Sequence, residues 1–473
     1  MKTTIPLINV QEQESEVPDP STPYLLRGKI YVRRMKGFFQ RIRSLSLSLL
    51  MAMYFLFVWI RVDGNPLVFF DLEVQKFYLF GAIFWPQDFT LLAFALIICA
   101  FGLFFITGLL GRIWCGYSCP QTAWSLMFIW LEEFFEGSRH QRIKLDQERN
   151  SLRKWLKKSG KHASWLILAL ATAITFVGYF YPIRTLTDEL FSLSLESAWA
   201  MFWIAFFTLA TYLNAGWLRE KVCIYMCPYA RFQSVMFNEN TMIVGYDNKR
   251  GEPRGRRSKH SDQSHLGDCI ECQMCVQVCP TGIDIRDGLQ YECIGCALCI
   301  DACDSIMTKM STPTGLIRYA SEKEFATGQP QRTLNIGTVG YGATLLIAIC
   351  VFISVMVHRP QAELSVLRDR GSLYFENGLG QVENFYTLKL VNKRETEDTF
   401  RLSVKASFPV KISQENLSIG AGEVRTYTVI LEVAPEQLSE ASNPIEFISQ
   451  SLTDPSLRTV SQSKFLGPVR SED

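Results

Sequence analysis

The chain lacks the glycine patterns with which proteins bind nucleotides. Its 30 glycines form neither a Rossmann G-x-G-x-x-G fingerprint nor a P-loop, so we expect no bound NAD(P) or nucleotide. Histidine is scarce as well. The five histidines show no spacing motif, and no pattern of them within an apolar stretch indicates b-type haem. A net charge of only +2 gives no reason to expect a nucleic-acid partner.

Cysteine is absent from the C-terminal part of the chain. None of the 14 cysteines follows Cys350, so the segment from residue 359 onward has none. Free thiols are typical of reducing compartments, which indicates that this last segment lies outside one. A cleavable signal peptide is also absent. Residues 1–43 are polar and then basic, and the apolar stretch after them is too long for a signal peptide, so it reads as an uncleaved anchor.

Eight cysteines lie in two runs with one spacing, CIECQMCVQVCP and CIGCALCIDAC. The pattern C-x-x-C-x-x-C-x-x-x-C is that of bacterial ferredoxins with two [4Fe–4S] clusters, where the fourth cysteine ligates the other cluster. The predicted ligand sets are Cys269, Cys272, Cys275 and Cys303, and Cys293, Cys296, Cys299 and Cys279. Zinc is the alternative, but its ligands usually form two separated pairs. The second run ends in Cys303-Asp304 where Cys-Pro is typical, and proline is not a ligand.

Five stretches are long and apolar enough to cross a bilayer, which takes about 20 residues. They cover roughly 44–62, 89–110, 163–182, 198–214 and 334–357. Lysine and arginine are concentrated in alternate connections: seven lie within 27–43, nine within 139–161 and six within 249–259. Because cytoplasmic loops carry the positive charge, these three segments are predicted to be cytoplasmic. The C-terminal segment is then periplasmic, in a bacterial inner membrane.

The predicted fold is a multi-domain membrane protein with a helical transmembrane bundle of about five spans. We expect a polar and basic segment over 1–43, four spans over 44–239 and a two-cluster ferredoxin-like insert over 240–320. A linker and the fifth span follow over 321–358. Alternating apolar and polar residues over 359–473 predict a C-terminal Ig-like β-sandwich, without the Cys…Trp…Cys framework of antibody domains. The Gly/Arg-rich stretch 247–265 is interpreted as a flexible linker.

A second cysteine motif occurs twice, in GRIWCGYSCPQTAWSLMF and REKVCIYMCPYARFQSVMF. Each copy has an upstream arginine, then C-x-x-x-C-P. The four cysteines are Cys115, Cys119, Cys223 and Cys227. A spacing of four places two thiols on one helix face, and the following proline suits a helix break or a first helical turn. A single pair could be ordinary packing, but a repeated pair favours a function.

Two chemistries remain open for these thiols. Paired thiolates bind Cu(I), or each pair could alternate between dithiol and disulfide. On an ideal helix the Cβ atoms lie about 6 Å apart, whereas a disulfide needs about 4 Å, which favours a metal. Met226 could add a soft ligand, although packing is its simpler role. Cys99 and Cys350 are single cysteines within spans and are interpreted as packing residues.

The chain resembles the CcoG/FixG/RdxA family of cytochrome c oxidase accessory proteins. The resemblance rests on the spans, the two C-x-x-x-C-P motifs, the ferredoxin insert and the exported β domain. The resemblance covers nearly the whole chain beyond residue 30. It implies reduction of Cu(II) to Cu(I) for maturation of a cbb-type oxidase. Cys115, Cys119, Cys223 and Cys227 would then bind or reduce copper, and the eight ferredoxin cysteines would deliver electrons.

The expected partners are membrane lipid, a cbb-type cytochrome c oxidase or its copper-delivery assembly factors, and an unidentified cytoplasmic electron donor. Two alternatives remain. The chain could be an electron-transfer subunit of another respiratory, quinol-linked chain. It could also be a non-enzymatic assembly scaffold in which the clusters act as sensors.

Overall fold

A computed structural model describes residues 29–62, 64–192, 197–257, 266–329, 336–394, 396–438 and 440–468. The chain divides into two compact units, Met1–Phe352 and Ile353–Asp473. Residues 1–25 are polar and contain several prolines, a composition that predicts disorder, and they lie outside the described residues.

The first unit begins with helices and short strands. The helices are α1 Phe38–Phe57, α2 Phe89–Leu110, α3 Ile113–Tyr117, α4 Pro120–Glu136, α5 Arg139–Gln147, α6 Leu152–Gly178, α7 Ile183–Ser192, α8 Ala198–Thr211 and α9 Pro228–Met236. The strands after α1 are β1 Arg61–Val62, β2 Asn65–Pro66, β3 Val68–Asp71, β4 Lys76–Leu79 and β5 Ala82–Phe84. Two π-helical segments, Tyr212–Leu218 and Val222–Met226, extend α8 towards α9.

The ferredoxin-like insert follows α9. It contains β6 Met242–Tyr246, α10 Asn248–Gly251, α11 Met274–Gln277, α12 Leu298–Lys309, β7 Ile317–Ser321 and α13 Glu322–Thr327. Strands β6 and β7 pair antiparallel and close the insert. The predicted flexible linker is wrong for its first part. Arg250 is bound to the Asp268 carboxylate, and the Gly255 N–H donates to the Cys269 carbonyl at 3.1 Å, so this stretch packs on the insert.

Helix α14, Ile336–Val357, runs from the first unit into the start of the second and begins beside the end of α2, where Thr338 lies against Gly108. Four helices are long and apolar enough to cross a membrane: Phe89–Leu110, Leu152–Gly178, Ala198–Leu218 and Ile336–Val357. They correspond to the last four predicted spans. The predicted span over 44–62 is not among them.

Helix α1 covers most of that missing span, and its composition explains the difference. Arg41 and Arg43 occupy its first turns, so its uncharged remainder is shorter than the about 20 residues of a full span. Arg43 is nevertheless buried, and its Nε donates to the Gly116 carbonyl at 3.1 Å. Further along, the Tyr54 hydroxyl donates to the Thr172 carbonyl of α6 at 2.9 Å. Helix α1 therefore runs beside the long apolar helix α6.

The second unit is the predicted Ig-like β-sandwich. Its strands are β8 Ala362–Arg368, β9 Phe375–Glu376, β10 Val382–Asn392, β11 Asp398–Lys405, β12 Lys411–Ile412, β13 Asn416–Ile419, β14 Val424–Val433, β15 Ser442–Ser451 and β16 Arg458–Leu466. One sheet has the order β12-β14-β10-β8 with β9 beside β10, and the other has β13-β11-β15-β16. Alternate residues of β10 point inward, so Tyr386 packs on Phe447 between the sheets.

Candidate metal centres

The eight ferredoxin cysteines surround two cavities in the insert. The first cluster cavity is lined by Cys269, Cys272, Cys275 and Cys303. The second cluster cavity is lined by Cys279, Cys293, Cys296 and Cys299. Cys275 borders both cavities. The side chains are therefore grouped as the spacing predicts, with the fourth cysteine of each run facing the other run.

Two residues in the left-handed backbone conformation produce this arrangement. Gln273 (φ 54°) and Ala297 (φ 59°) immediately precede α11 and α12 and turn the chain sharply into each helix. The third cysteine of each run, Cys275 or Cys299, consequently lies in the first helical turn. A φ above zero is unfavourable for residues with a Cβ, and such conformations persist where the surroundings require them. Here they fold each run around its cavity.

The cavities suit clusters better than single ions. Zinc thiolates converge on one point at about 2.3 Å, whereas among the described residues no three Cys, His, Asp or Glu side chains form a site for one metal ion. The cysteine side chains instead line two cavities and do not converge on one point. Burial raises the pKa of the Cys275, Cys293 and Cys303 thiols to about 12, so cluster binding must displace their protons. Cys272, in contrast, is exposed.

Both C-x-x-x-C-P motifs adopt the same backbone. Pro120 and Pro228 are the first residues of α4 and α9, as predicted. The preceding cysteines, Cys119 and Cys227, are extended, because a residue before proline avoids the helical region. Their N–H groups donate to the carbonyls five residues earlier, at 2.9 Å and 2.8 Å. The expectation of two thiols on one continuous helix face is therefore wrong, and the spacing argument against a disulfide no longer applies.

The turn before each motif is also repeated. Gly111 (φ 59°, ψ −130°) and Arg219 (φ 43°, ψ −114°) each stand four residues before the first cysteine of their motif. Glycine adopts this conformation readily, but arginine does not. The Arg219 side chain is held by the carboxylate of Glu132 at 2.5 Å and by the Gly216 carbonyl at 2.9 Å.

The first motif is packed directly against the second cluster cavity. A Cβ added to Gly116 would lie 2.9 Å from the Cα of Cys296, so only glycine allows this approach. The Tyr117 hydroxyl donates to the Cys296 carbonyl at 3.3 Å. Cys115 packs on the same apolar cluster that contains Cys296. Cys115 of the first motif and the ferredoxin cysteine Cys296 are therefore neighbours.

Arg112 joins the three parts of this region. Its guanidinium donates to the carbonyls of Tyr291 and Cys293 in the insert, and to that of Ala230 in α9 at 2.8 Å. The side chain is buried. The sequence identified an arginine upstream of each motif, but not these carbonyl partners, because no local pattern marks them.

The remaining candidates lie elsewhere. Met226 is 67% exposed, which disagrees with a role in filling an apolar interior. Cys99 and Cys350 are also exposed in the isolated chain, on helices that are long and apolar enough to span a membrane. Sequence reasoning missed Gly116, Glu132 and Gln233. Of these, a glutamate within the apolar segment of α4 was the one visible signal.

Comparison with known sequences finds one iron–sulfur family over the insert and another over the first C-x-x-x-C-P motif. Family profiles described as a 4Fe-4S dicluster domain and a 4Fe-4S binding domain match residues 218–322 and 92–135. A third, described as an IG-like fold at the C-terminal of FixG, matches residues 352–468. The nitrogen fixation protein FixG of Rhizobium meliloti is 34% identical over 81% of this chain and 80% of its own. The chain belongs to the FixG/RdxA family.

Two further sequence relatives support this membership. Protein RdxA of Cereibacter sphaeroides is 36% identical over 83% of this chain and 85% of its own, and RdxB of the same organism is 35% identical over 88% and 91%. A crystal structure of a FixG-related protein from Vibrio parahaemolyticus is 29% identical and covers 23% of this chain and 98% of its own, with a TM-score of 0.22. The chain is thus a membrane-associated iron–sulfur protein of this family.

Proposed function

We propose that this FixG/RdxA family member transfers electrons from a cytoplasmic donor to copper, reducing Cu(II) to Cu(I) at the four C-x-x-x-C-P thiols. The observation that carries the proposal is the contact between Gly116 and Cys296, which places the first motif against the second cluster cavity. The eight ferredoxin cysteines would hold two [4Fe–4S] clusters, which supply one-electron transfer when bound.

The exposure of the cysteines gives the route a direction. Cys272 of the first cluster cavity is exposed, so a donor protein can approach there. The second cluster cavity is the one that contacts the motifs. Each Cu(II) ion needs one electron, which the cytoplasmic donor supplies, and thiolates favour the Cu(I) product. Cys115, Cys119, Cys223 and Cys227 would hold the copper substrate, and Arg112 would fix the motifs relative to the insert.

The proposed topology places the insert and the N-terminus in the cytoplasm and the β-sandwich in the periplasm of a bacterial inner membrane. Two contacts support the placement of the N-terminus and the insert on one side of the membrane. Asp146 of the connector accepts from Tyr31 at 2.7 Å, and the Arg33 N–H donates to Gln277 of the insert at 2.8 Å. All three basic segments are therefore on the insert side, as the positive-inside rule requires.

We further propose that the Cu(I) product serves the assembly of a cbb-type cytochrome c oxidase, directly or through copper-delivery factors. The periplasmic β-sandwich would provide the contact surface for such a partner. This part rests on the family relationship, since a sandwich domain alone does not define a reaction.

Copper reduction can be tested on anaerobically purified full-length protein with reduced clusters. We expect Cu(II) to reoxidise the clusters with a matching yield of Cu(I), and replacement of all four motif cysteines by serine to abolish copper retention and this reoxidation. The Cys99→Ser and Cys350→Ser variants should behave like the wild type. Unchanged copper content and activity in the fourfold variant would contradict the proposal.

One alternative is favoured by a specific observation. Because the motifs are unwound at the prolines, each cysteine pair could form a disulfide and pass electrons to another respiratory chain without copper. Redox titration of these thiols in copper-free protein would then show a two-electron couple.

A scaffold role predicts instead that cluster-ligand variants support normal oxidase maturation while deletion of 360–473 abolishes it.

A further inference from the structure

We infer that Arg286 donates a hydrogen bond from its Nη1 group to a sulfur of the first [4Fe–4S] cluster and thereby raises the reduction potential of that cluster. The cysteine spacing gives this residue no role. The inference goes beyond the copper function, because it applies whichever acceptor takes the electrons. It rests on one part of the proposed function, the assignment of Cys269, Cys272, Cys275 and Cys303 to the first cluster.

Arg286 lies at the boundary between the two cluster cavities. It belongs to a short 3₁₀-helix, Ile285–Asp287, and lines the first cluster cavity, whereas the neighbouring Ile285 lines the second. Only 8% of Arg286 is exposed. A charge that is buried to this extent needs partners from the protein or from a bound group.

The Asp284 carboxylate holds one side of the guanidinium. The Nε group of Arg286 donates to both carboxylate oxygens, at 2.8 Å and 3.1 Å, and Nη2 donates to one of them. The same carboxylate accepts from the backbone N–H of Arg286 at 3.0 Å, which fixes the pair. Among the described residues, Asp284 lines neither cluster cavity. The guanidinium, and not the carboxylate, therefore faces the first cluster cavity.

The remaining nitrogen, Nη1, is a donor that no described residue satisfies. It is buried and has no hydrogen-bond partner in the part of the chain that the structure describes. An unsatisfied buried donor on a charged group is costly. The sulfurs of an iron–sulfur cluster accept such hydrogen bonds, and its thiolate ligands give it negative charge. The orientation of Arg286 therefore fits a cluster in this cavity.

The charged groups around the two cavities differ. Asp268 also lines the first cluster cavity, but its carboxylate is bound by Arg250. No charged side chain of the described residues lines the second cluster cavity, where Arg112 instead donates to the carbonyl of Cys293. Arg286 is thus the buried cation that faces one cavity and not the other.

This difference bears on where electrons enter. Reduction adds negative charge to a cluster, so a nearby cation and a hydrogen bond to sulfur both favour the reduced state. Arg286 therefore makes the first cluster easier to reduce. The exposed Cys272 belongs to the same cavity, so the cluster that is accessible to a donor is also the one that Arg286 prepares to accept its electron.

The test is a redox titration of full-length, copper-free protein, followed by electron paramagnetic resonance of the reduced clusters. Arg286→Met keeps a long side chain but removes the charge and the N–H groups. We expect the potential of the first cluster to fall by about 59 mV, which is about a tenfold change in the ratio of its oxidised and reduced forms. The second cluster should shift less. The signal that Cys272→Ser alters identifies the first cluster, and equal shifts of both clusters would overturn the inference.

Asp284→Asn should change the potential in the opposite direction. Asparagine keeps the shape of the side chain and an acceptor oxygen for Arg286, but it removes the negative charge behind the guanidinium. We expect the potential of the first cluster to rise. A purely structural role of the ion pair would shift both variants in the same direction. That result, or unchanged potentials in both variants, would overturn the inference. If Arg286→Met loses its cluster iron, Asp284→Asn decides alone, and an unchanged or lower potential would overturn it.

Arg318→Met is the matched control. Arg318 pairs with Asp247 at 2.9 Å in the same insert, and neither residue lines a cluster cavity. Both cluster potentials should therefore equal those of the wild type. A fall of the first potential in Arg318→Met as large as that in Arg286→Met would show a general effect of lost charge and would overturn the inference.

Electron–nuclear double resonance measures the hydrogen bond itself. In the reduced first cluster we expect one exchangeable proton coupling that disappears in Arg286→Met and persists in Arg318→Met. Retention of every exchangeable coupling in Arg286→Met would overturn the bond. Because copper is absent from these measurements, the expected shifts in a protein that fails to reduce Cu(II) would contradict the copper function alone. Unshifted potentials in a protein that does reduce Cu(II) would contradict this inference alone.

Discussion

Arg219 occupies a backbone conformation that glycine fills in the first motif. Its positive φ costs on the order of 1–3 kcal/mol, and the buried pair with Glu132 compensates for it. Burial raises the pKa of Glu132, but the charges of Arg219 and Lys29 outweigh burial and lower it to about 2. The ionised carboxylate therefore stabilises the fold above about pH 4.5, and this contribution declines as the pH falls towards 2.

The Glu132→Gln substitution should be strongly destabilising at neutral pH. It leaves the buried Arg219 and Arg142 without their anion, and breaking a buried pair costs about 3–5 kcal/mol. Arg219→Gly should cost less stability. Glycine adopts the positive φ without strain, and this gain offsets part of the stability lost with the ion pair to Glu132. Thermal unfolding of the detergent-solubilised protein measures both. Equal stability of Glu132→Gln and wild type would show that the pair contributes nothing.

Gly116 should control electron transfer between the insert and the thiols. In Gly116→Ala the added methyl collides with the Cys296 backbone, so the first motif must move away. We expect reoxidation of the reduced clusters by Cu(II) to slow at least tenfold, while iron content is retained. Gly340→Ala is the matched control, because a Cβ there meets no atom within 4 Å. Stopped-flow absorbance of the clusters gives the rates.

At the scale of elements, α1 begins on a side chain from the insert. The Asp301 carboxylate of α12 accepts from the N–H groups of Phe39 and Gln40 at 3.2 Å and 2.8 Å. A carboxylate at this position satisfies unpaired N–H groups and interacts favourably with the helix dipole. The insert is therefore attached to the start of α1 as well as to the motifs.

Removal of this cap should loosen the insert. Asp301→Ala is expected to lower the free energy of unfolding by about 1–2 kcal/mol, the usual effect of losing an N-cap. The midpoint for thermal loss of cluster absorbance should fall accordingly. Asp188→Ala, at an exposed position of α7, serves as control. An unchanged midpoint in Asp301→Ala would mean that the Asp301 bonds do not stabilise the docked insert.

Sequence reasoning succeeded for local patterns and failed where distant side chains decide. The cysteine spacing grouped the cysteines that line each cluster cavity, because three of each four are close in sequence. Proline located the starts of α4 and α9 for the same reason. Sequence patterns could not reveal the contact of Gln233 with Gly111 or that of Asp301 with Phe39. Such contacts join residues more than 100 positions apart and follow no motif.

At the scale of the whole molecule, the course of α1 determines the topology. Helix α1 has 20 residues and a length of about 30 Å, although Arg41 and Arg43 in its first turns leave a shorter uncharged part. It also lies beside α6, with Tyr54 bonded to Thr172. If α1 crosses with the four apolar helices, the two chain ends lie on opposite faces; if it does not, they lie on the same face.

Fusion reporters distinguish these cases. We expect green fluorescent protein to fluoresce when fused to the N-terminus, and alkaline phosphatase to be active only when fused to the C-terminus. As control, a phosphatase fusion after Gln147, in the basic connector, should be inactive. Fluorescence from both termini would place them together in the cytoplasm and leave α1 outside the set of spans.

The close fit of Gly116 on Cys296 has a consequence for electron tunnelling. A Cβ at this position would lie 2.9 Å from the Cα and 3.1 Å from the N of Cys296, so no side chain stands between the first motif and the ferredoxin loop at this point. Because tunnelling rates fall steeply with the length of the gap, the absence of a side chain at this one position keeps the path across the junction short.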